Sequence, residues 1–411
     1  MKKIELLAPG GDLQKAQYAL DFGADAVYCG TNFFAMRQHK GNFTYEDLEE
    51  VVRYAHARHK KVYVTMNIFA HNYHLDTVKK ALIKLRELQP DALIVSDPGI
   101  FMLVREHAPE LPVHISTQAN VTNASGVQFW KKLGAERVIL ARELSIKEIR
   151  EIHEAVPDIE IETFIHGAQC MAYSGRCMLS SYMNYPRRAN IGSCSNTCRW
   201  KYIEVEETQR PGEKMRVEED EFGTYIFNAH DMCMIEHVQK IIESGVVSLK
   251  IEGRGRSPFY VAFVVKAYRA ALNLIEQNAP NIQERLAALR ERLLAASSRP
   301  FDTGFFLGAP MQNLENRKQK TAYRFVGILE KKIDEHTATF TIHNELYAGE
   351  EVYVMTPDDE YTLPVDALIL ANSGQRVNSV HGGKQESIQL TFPKPVHERT
   401  ILFLNIAQRA Q

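Results

Sequence analysis

The run VVSLKIEG (residues 246–253) decides the fold, because it is the eighth in a series of short apolar segments. Seven precede it: IELLAP (4–9), ADAVYC (24–29), KVYVTMN (61–67), ALIVSD (92–97), VHISTQ (113–118), RVILA (137–141) and IETFIHG (161–167). Most are apolar throughout, the pattern of strands buried on both faces, and amphipathic segments fall between them. Asp12, after the first run, is placed to cap the first turn of a helix. Eight parallel strands with intervening helices are what a TIM-type (β/α)8 barrel requires. The expected fold class is therefore α/β, with a TIM-type barrel over residues 1–300.

Outward from the barrel the texture changes twice. Residues 201–230 alternate charge with Arg-Pro-Gly and Phe-Gly turn signals and read as a surface hairpin. Helical stretches at 258–275 and 281–298 end at Ser297-Ser298-Arg299-Pro300, and a linker is expected over 301–321. From residue 322 to 411 short alternating runs such as TATFTIHN and EEVYVMTP predict a small all-β barrel or sandwich. It holds no cysteine and no catalytic constellation, so it reads as a binding or positioning unit.

With 411 residues, 45% of them hydrophobic, the chain can bury at least one large core. A formal charge of -2 argues against wholesale coating of nucleic acid, so any such contact must be local. No run approaches the roughly eighteen apolar residues of a membrane helix. The chain opens MKKIELLAPGG, without an apolar signal segment, so a cytoplasmic location is expected.

Between Glu162 and Trp200 lie four of the six cysteines, spaced Cys170-x6-Cys177-x16-Cys194-x3-Cys198. Three readings are open. A disulfide framework needs an oxidising compartment. Structural zinc usually draws on two short knuckles, and only Cys194 and Cys198 are that close. Iron–sulfur clusters accept more varied spacings, and that is the leading expectation. Cys29 and Cys233 read as ordinary buried thiols, with Cys233 a reserve ligand. From Thr163 to Ile203 there is no Asp or Glu, while Arg176, Arg187, Arg188, Arg199 and Lys201 fall inside. That local positive charge offsets thiolates and suits phosphates of a nucleic acid.

In a TIM-type barrel the residues just after each strand line one mouth. These include Asn67, Gln118, Arg142 with Glu143, His166, and Arg254 with Arg256. Arginines there suit a carboxylate or phosphate. His166 is a candidate proton shuttle or donor.

The segment Glu162-x-Phe164-x-x-Gly167-Ala168-x-Cys170-x4-Gly175-x-Cys177-x-Leu179-Ser180 resembles the signature of peptidase family U-32, the collagenase-like proteins. Gln169 departs from it, since an aliphatic residue is usual there. The resemblance extends through ELLAPGG, GADAVYCG, RVILARELS, CSNTCRW, EDEFGTYIFNAHDM and SLKIEGRGRS. Within the family it is similar to a branch of tRNA hydroxylation proteins that use prephenate to form 5-hydroxyuridine at the wobble position without oxygen. The resemblance implies a 4Fe-4S cluster on Cys170, Cys177, Cys194 and Cys198, prephenate as co-substrate and a tRNA anticodon loop as partner, with any electron donor left open. Expected catalytic residues are His166, Arg142 and Glu143. Expected substrate contacts are Arg37, Asn67, Gln118, Arg254, Arg256, Tyr182 and Arg199, with Tyr182, Tyr173 or Trp200 stacking the target base. A peptidase is the opposing reading, although the chain has no H-E-x-x-H and no G-x-S-x-G. Other relatives hydroxylate ribosomal RNA or a ubiquinone precursor.

Overall fold

Six of the barrel's helices begin on a side chain that satisfies an orphan N–H of the first turn. Asp12 caps α1 (Leu13–Asp21) and Thr44 caps α2 (Tyr45–His56) in a capping box with Asp47. Asp97 caps α4 (Pro98–His107), with Pro98 in the first turn, and Asn123 caps α5 (Ala124–Lys132). Ser145 and Glu148 form a second box at α6 (Ile146–Ala155), and Ser257 caps α8 (Pro258–Glu276). The helices α3 (Leu75–Leu88), α7 (Val238–Glu243) and α9 (Ile282–Ala296) start without such a bond. The computed structural model describes residues 3–31, 43–169, 230–308, 310, 321–384 and 386–407, with short strand segments between 204 and 224.

Between the helices run β1 (Glu5–Gly10), β2 (Ala26–Gly30), β3 (Lys61–Met66), β4 (Ala92–Val95), β5 (Val113–Ile115), β6 (Arg137–Ile139) and β7 (Glu160–Ala168). After β8 (Asp231–Cys233) comes β9 (Ser248–Ile251), parallel both to β7 and to β1. Strands β1 to β7 and β9 thus close into an eight-stranded parallel barrel, with each sequence run falling on one strand. Strand β8 lies outside the ring, antiparallel to β7, and β10 (Phe301–Asp302) extends the sheet beyond it. Gly245 (φ +94°) ends α7 in the left-handed region, where a Cβ would stand 2.1 Å from the His153 ring.

Within 201–230, Glu204–Glu206 pairs antiparallel with Lys214–Arg216, and Glu219–Asp220 with Gly223–Thr224. The C-terminal unit is an antiparallel half-barrel of eight strands, with Tyr323–Lys332 between Ile401–Asn405 and Thr337–Ile342. One face buries Val326, Phe340, Val352, Val354 and Leu402. The other packs Tyr323, Phe325, Tyr353 and Phe403 on the barrel. Phe259 of α8 stacks on Phe325 with centroids 5.6 Å apart, and Arg399 donates to Asp21 at 2.9 Å. Among the described residues no helix is long and apolar enough to cross a membrane.

Candidate functional site at the barrel mouth

The barrel interior is charged at its base, which the apolar look of the strands does not reveal. Glu5, Arg137, Glu160 and Ser248 each start their strands, and Glu162 and Lys250 lie two residues further in. Arg137 pairs with Glu5, with Glu160 at 2.8 Å and with Glu162 at 3.0 Å. Lys250 Nζ lies 2.8 Å from Glu162, the single Ser248 hydroxyl stands 2.9 Å from Glu5 and 3.1 Å from Glu162 and shares its proton between them, and Tyr63 OH donates to Glu5 at 2.6 Å. Burial opposes ionisation of the wholly enclosed Glu162, but Lys250 and Arg137 outweigh it and hold its carboxyl below the usual carboxylate range. Charges this enclosed persist only when paired, and here each carboxylate meets a cation or a hydroxyl.

At the opposite end the strands release Arg142, Glu252 and Arg254. Arg142 is 14% exposed; its Nη1 donates to the Ala168 carbonyl at 2.8 Å and its Nη2 stands 3.7 Å from Glu252. Its guanidinium also covers the Phe164 ring at 3.9 Å, a cation–π contact. Arg142 Nε has no hydrogen-bond partner among the described residues. Arg254 is buried, and its Nη1 lies 3.3 Å from Thr65 on β3. Gly11 makes this possible, because a Cβ there would meet the Arg254 carbonyl at 2.1 Å. Two guanidinium groups are thereby fixed at one rim, a pairing suited to a ligand with separated anionic groups.

Around the same rim stand Asn67, whose carbonyl accepts from Ser96 at 3.2 Å, the half-buried Glu143, and Gln118. Gln118 Oε1 and Asn120 Oδ1, on the turn after β5, lack hydrogen-bond partners among the described residues. They are enclosed acceptors that face no donor of that set.

His166 and Arg256 lie elsewhere. A bulge at Ile165 sets Phe164 opposite Lys250 but His166 opposite Ile251. The alternation is thereby reversed. Phe164 keeps to the side of Lys250 and Arg142, whereas His166 packs on Tyr260, Tyr268 and Phe301. Gly167 (φ +103°) completes the turn, where a Cβ would stand 2.6 Å from the Glu252 carbonyl. Burial, aided by the charge of Arg256, lowers the pKa of His166 to about 3, so the ring is neutral. Arg256 pairs with the buried Asp231 at 3.1 Å. His166, Asp231, Arg256, Tyr260, Phe263 and Phe301 are among the residues lining a cavity of about 300 Å³ beside α8. The structure thus gathers Arg142, Glu143, Asn67, Gln118 and Arg254 at the mouth and sets His166 and Arg256 beside it.

Cys170, Cys177, Cys194, Cys198, Arg37, Tyr173, Tyr182, Arg199 and Trp200 lie outside the described residues. The approach to the cysteines is described. Gln169 donates to Asp302 at 2.8 Å, and Ala168 before it accepts from Arg142, so the chain enters the cysteine segment at the rim. Cys233 is buried with Sγ 3.8 Å from Tyr268 OH, and burial raises its thiol to about 11. Burial also pushes the Cys29 thiol up, so both are packing groups. Among the described residues no cluster of three or more His, Cys, Asp or Glu is arranged to hold a metal ion.

Lys250, Thr65 and Asp231 join these networks without having been expected from the sequence. The signal for the first was present, a lysine inside the apolar run SLKI.

Residues 11–316 match peptidase family U32, and residues 321–402 match the peptidase family U32 C-terminal domain. The chain is 40% identical to the tRNA hydroxylation protein P of Escherichia coli over 399 residues, 87% of each chain. It is 37% identical to the tRNA hydroxylation protein P of Haemophilus influenzae over 413 residues, 89% of each. It is 30% identical to a collagenase of Porphyromonas gingivalis over 399 residues, 91% of this chain and 94% of that one. A barrel closed by β9, a rim set by Arg142 and Arg254 and an attached half-barrel are thus the form taken here by a member of peptidase family U32.

Proposed function

We propose that the chain is a tRNA-modifying hydroxylase that forms 5-hydroxyuridine at the wobble position, with prephenate as co-substrate and without oxygen, in the cytoplasm. The observation that carries this reading is the near-40% identity, over 87% or more of each chain, to proteins named for tRNA hydroxylation. In this reading Arg142 and Arg254 pair with the two carboxylates of prephenate, since each guanidinium is anchored at the rim and offers forked donors. Gln118 and Asn120 supply acceptors for the edge of the base, which enters from a single-stranded loop. Glu252, 3.7 Å from Arg142, would orient that guanidinium, and Glu143, half-buried after the end of β6, is a second carboxylate that would hold a proton.

The donor set from 170 to 198 suits a 4Fe-4S cluster, being four thiols in a stretch free of carboxylates. Cys170, Cys177, Cys194 and Cys198 would hold it, and when bound it would supply one-electron transfer. His166, neutral and turned toward α8, acts as a support for the strand end rather than as a proton shuttle at the mouth.

A peptidase reading draws on the collagenase relative. Against it, neither described thiol is activated, because burial raises both. Anaerobic purification with iron and sulfide analysis, followed by nucleoside analysis of tRNA treated with and without prephenate, tests the proposal. Cluster-loaded protein and a new 5-hydroxyuridine only with prephenate are expected. Stoichiometric zinc in colourless protein would remove the cluster, and peptide cleavage by iron-free protein would favour the peptidase.

A further inference from the structure

Between β3 and α3 the chain displays an aromatic cluster for which the chemistry above has no use. Buried Ile68 roots the segment, and the Ala70 N–H donates to Asp97 Oδ2 at 3.3 Å, tying the loop to the start of α4. A single 3-10 turn, Asn72–His74, follows, closed by the His71 N–H donating to His74 Nδ1 at 2.9 Å. Three rings gather on this turn. His71 and Tyr73 lie nearly parallel, at 10° with centroids 5.5 Å apart, and Tyr73 and His74 approach to 4.0 Å. Tyr73 nevertheless remains 68% exposed.

Partial burial and then the neighbouring His71 lower the pKa of His74, so it offers a neutral ring at physiological pH. The cluster presents π faces on a backbone pinned by hydrogen bonds, which limits the ordering entropy lost on binding. Its surroundings are polar: Asn72, Asp76 and Thr77 are exposed beside it. That border is too hydrophilic and the apolar area too small for a lipid surface. A flat, aromatic, polar-edged partner fits, and nucleobases have that character.

Location narrows the partner further. A loop that follows a barrel strand stands on the C-terminal rim, and β3 is the strand whose Thr65 meets Arg254. We propose that His71, Tyr73 and His74 form a stacking platform for an unpaired base of the RNA loop beside the base that enters the mouth. A duplex keeps its base faces covered, so the platform selects single-stranded RNA. This inference rests on the tRNA reading and names the element that seats the loop.

The test uses the full-length protein and an anticodon stem-loop in which the nucleotide next to the wobble uridine is 2-aminopurine, whose fluorescence is quenched by stacking. Tyr73→Ala is expected to weaken binding about ten-fold, the loss of one base–aromatic stack, and to abolish the quenching. Tyr73→Phe and Tyr73→Trp should keep both, and the matching duplex should compete poorly. Wild-type affinity and quenching retained in Tyr73→Ala would overturn the platform alone. A wild-type protein that binds no stem-loop would overturn the tRNA reading and the platform with it.

Discussion

Arg254 Nη1 and Thr65 Oγ1 lie 3.3 Å apart, joining the loop after β9 to β3 across the ends of β1 and β2. An arginine buried there has no packing advantage over methionine, so its loss should be felt in ligand binding. Arg254→Met is expected to reduce 5-hydroxyuridine formation roughly ten- to a hundred-fold, the cost of one charge-assisted hydrogen bond. Nucleoside analysis at several prephenate concentrations checks this, and unchanged dependence on prephenate would take Arg254 out of the site.

Arg142→Ala should lose activity by a similar factor, because the same guanidinium bonds the Ala168 carbonyl and faces Glu252. Arg142→Lys should not restore it. A single ammonium lacks the planar fork that serves both neighbours and covers the Phe164 ring. Full activity in the lysine variant would show that a point charge suffices.

The eight strands were legible because burial on both faces leaves near-continuous apolar runs, such as ALIV in β4. What periodicity could not supply was a phase change. The bulge at Ile165 adds one residue, and that residue moves His166 from the side of Phe164 to the side of Tyr268. Strand β8, at three residues, is too short to carry a pattern of its own. Its pairing with β7 is a tertiary fact. Likewise Glu162, Arg137 and Lys250 come from three separate strands, and only closure of the barrel sets their charges together.

Removing one member of that set should be costly. Arg137→Met removes the cation that Glu5, Glu160 and Glu162 share, and a loss of about 3–5 kcal/mol is expected in denaturant unfolding. Because the Glu162 carboxyl is held below its ordinary value of 4.5, its contribution is present above that pH and is lost as pH falls below it. Acid unfolding of wild type should therefore steepen below about pH 4.5, and Glu162→Gln should flatten the curve there. An unchanged curve in the variant would contradict the assignment.

His166 gives a separate pH signature. Its folded pKa of about 3 lies below the ordinary 6.5, so the unfolded chain takes up the proton first as pH falls. Stability should decline from near pH 6.5 toward pH 3, at up to about 1.4 kcal/mol per pH unit between the two values. His166→Gln should remove that slope, measured as the difference in unfolding free energy between pH 7 and pH 5. Equal slopes in both proteins would mean that the folded ring takes up its proton over the same pH range as the unfolded chain.

Phe403→Ala tests the seam between barrel and half-barrel. The ring is buried against Phe259, Phe263 and Tyr353, and its truncation should cost about 3–5 kcal/mol. Thermal unfolding and limited proteolysis should report an earlier, separate transition of the C-terminal unit. A single transition at the wild-type temperature would show that the seam contributes little.

Strand β8 returns to β7 so that Asp231 stands opposite Ala168, and Met232 opposite Gly167. Everything between, from Gln169 to His230, therefore departs and arrives at one rung of a ladder, with Gln169 clasped to Asp302 at the threshold. An excursion whose two ends already meet imposes little closure cost on its host, and that cost grows only slowly with length. A change of length within that excursion should therefore cost the drum of strands beneath it little, since the rung where its ends meet stays in register.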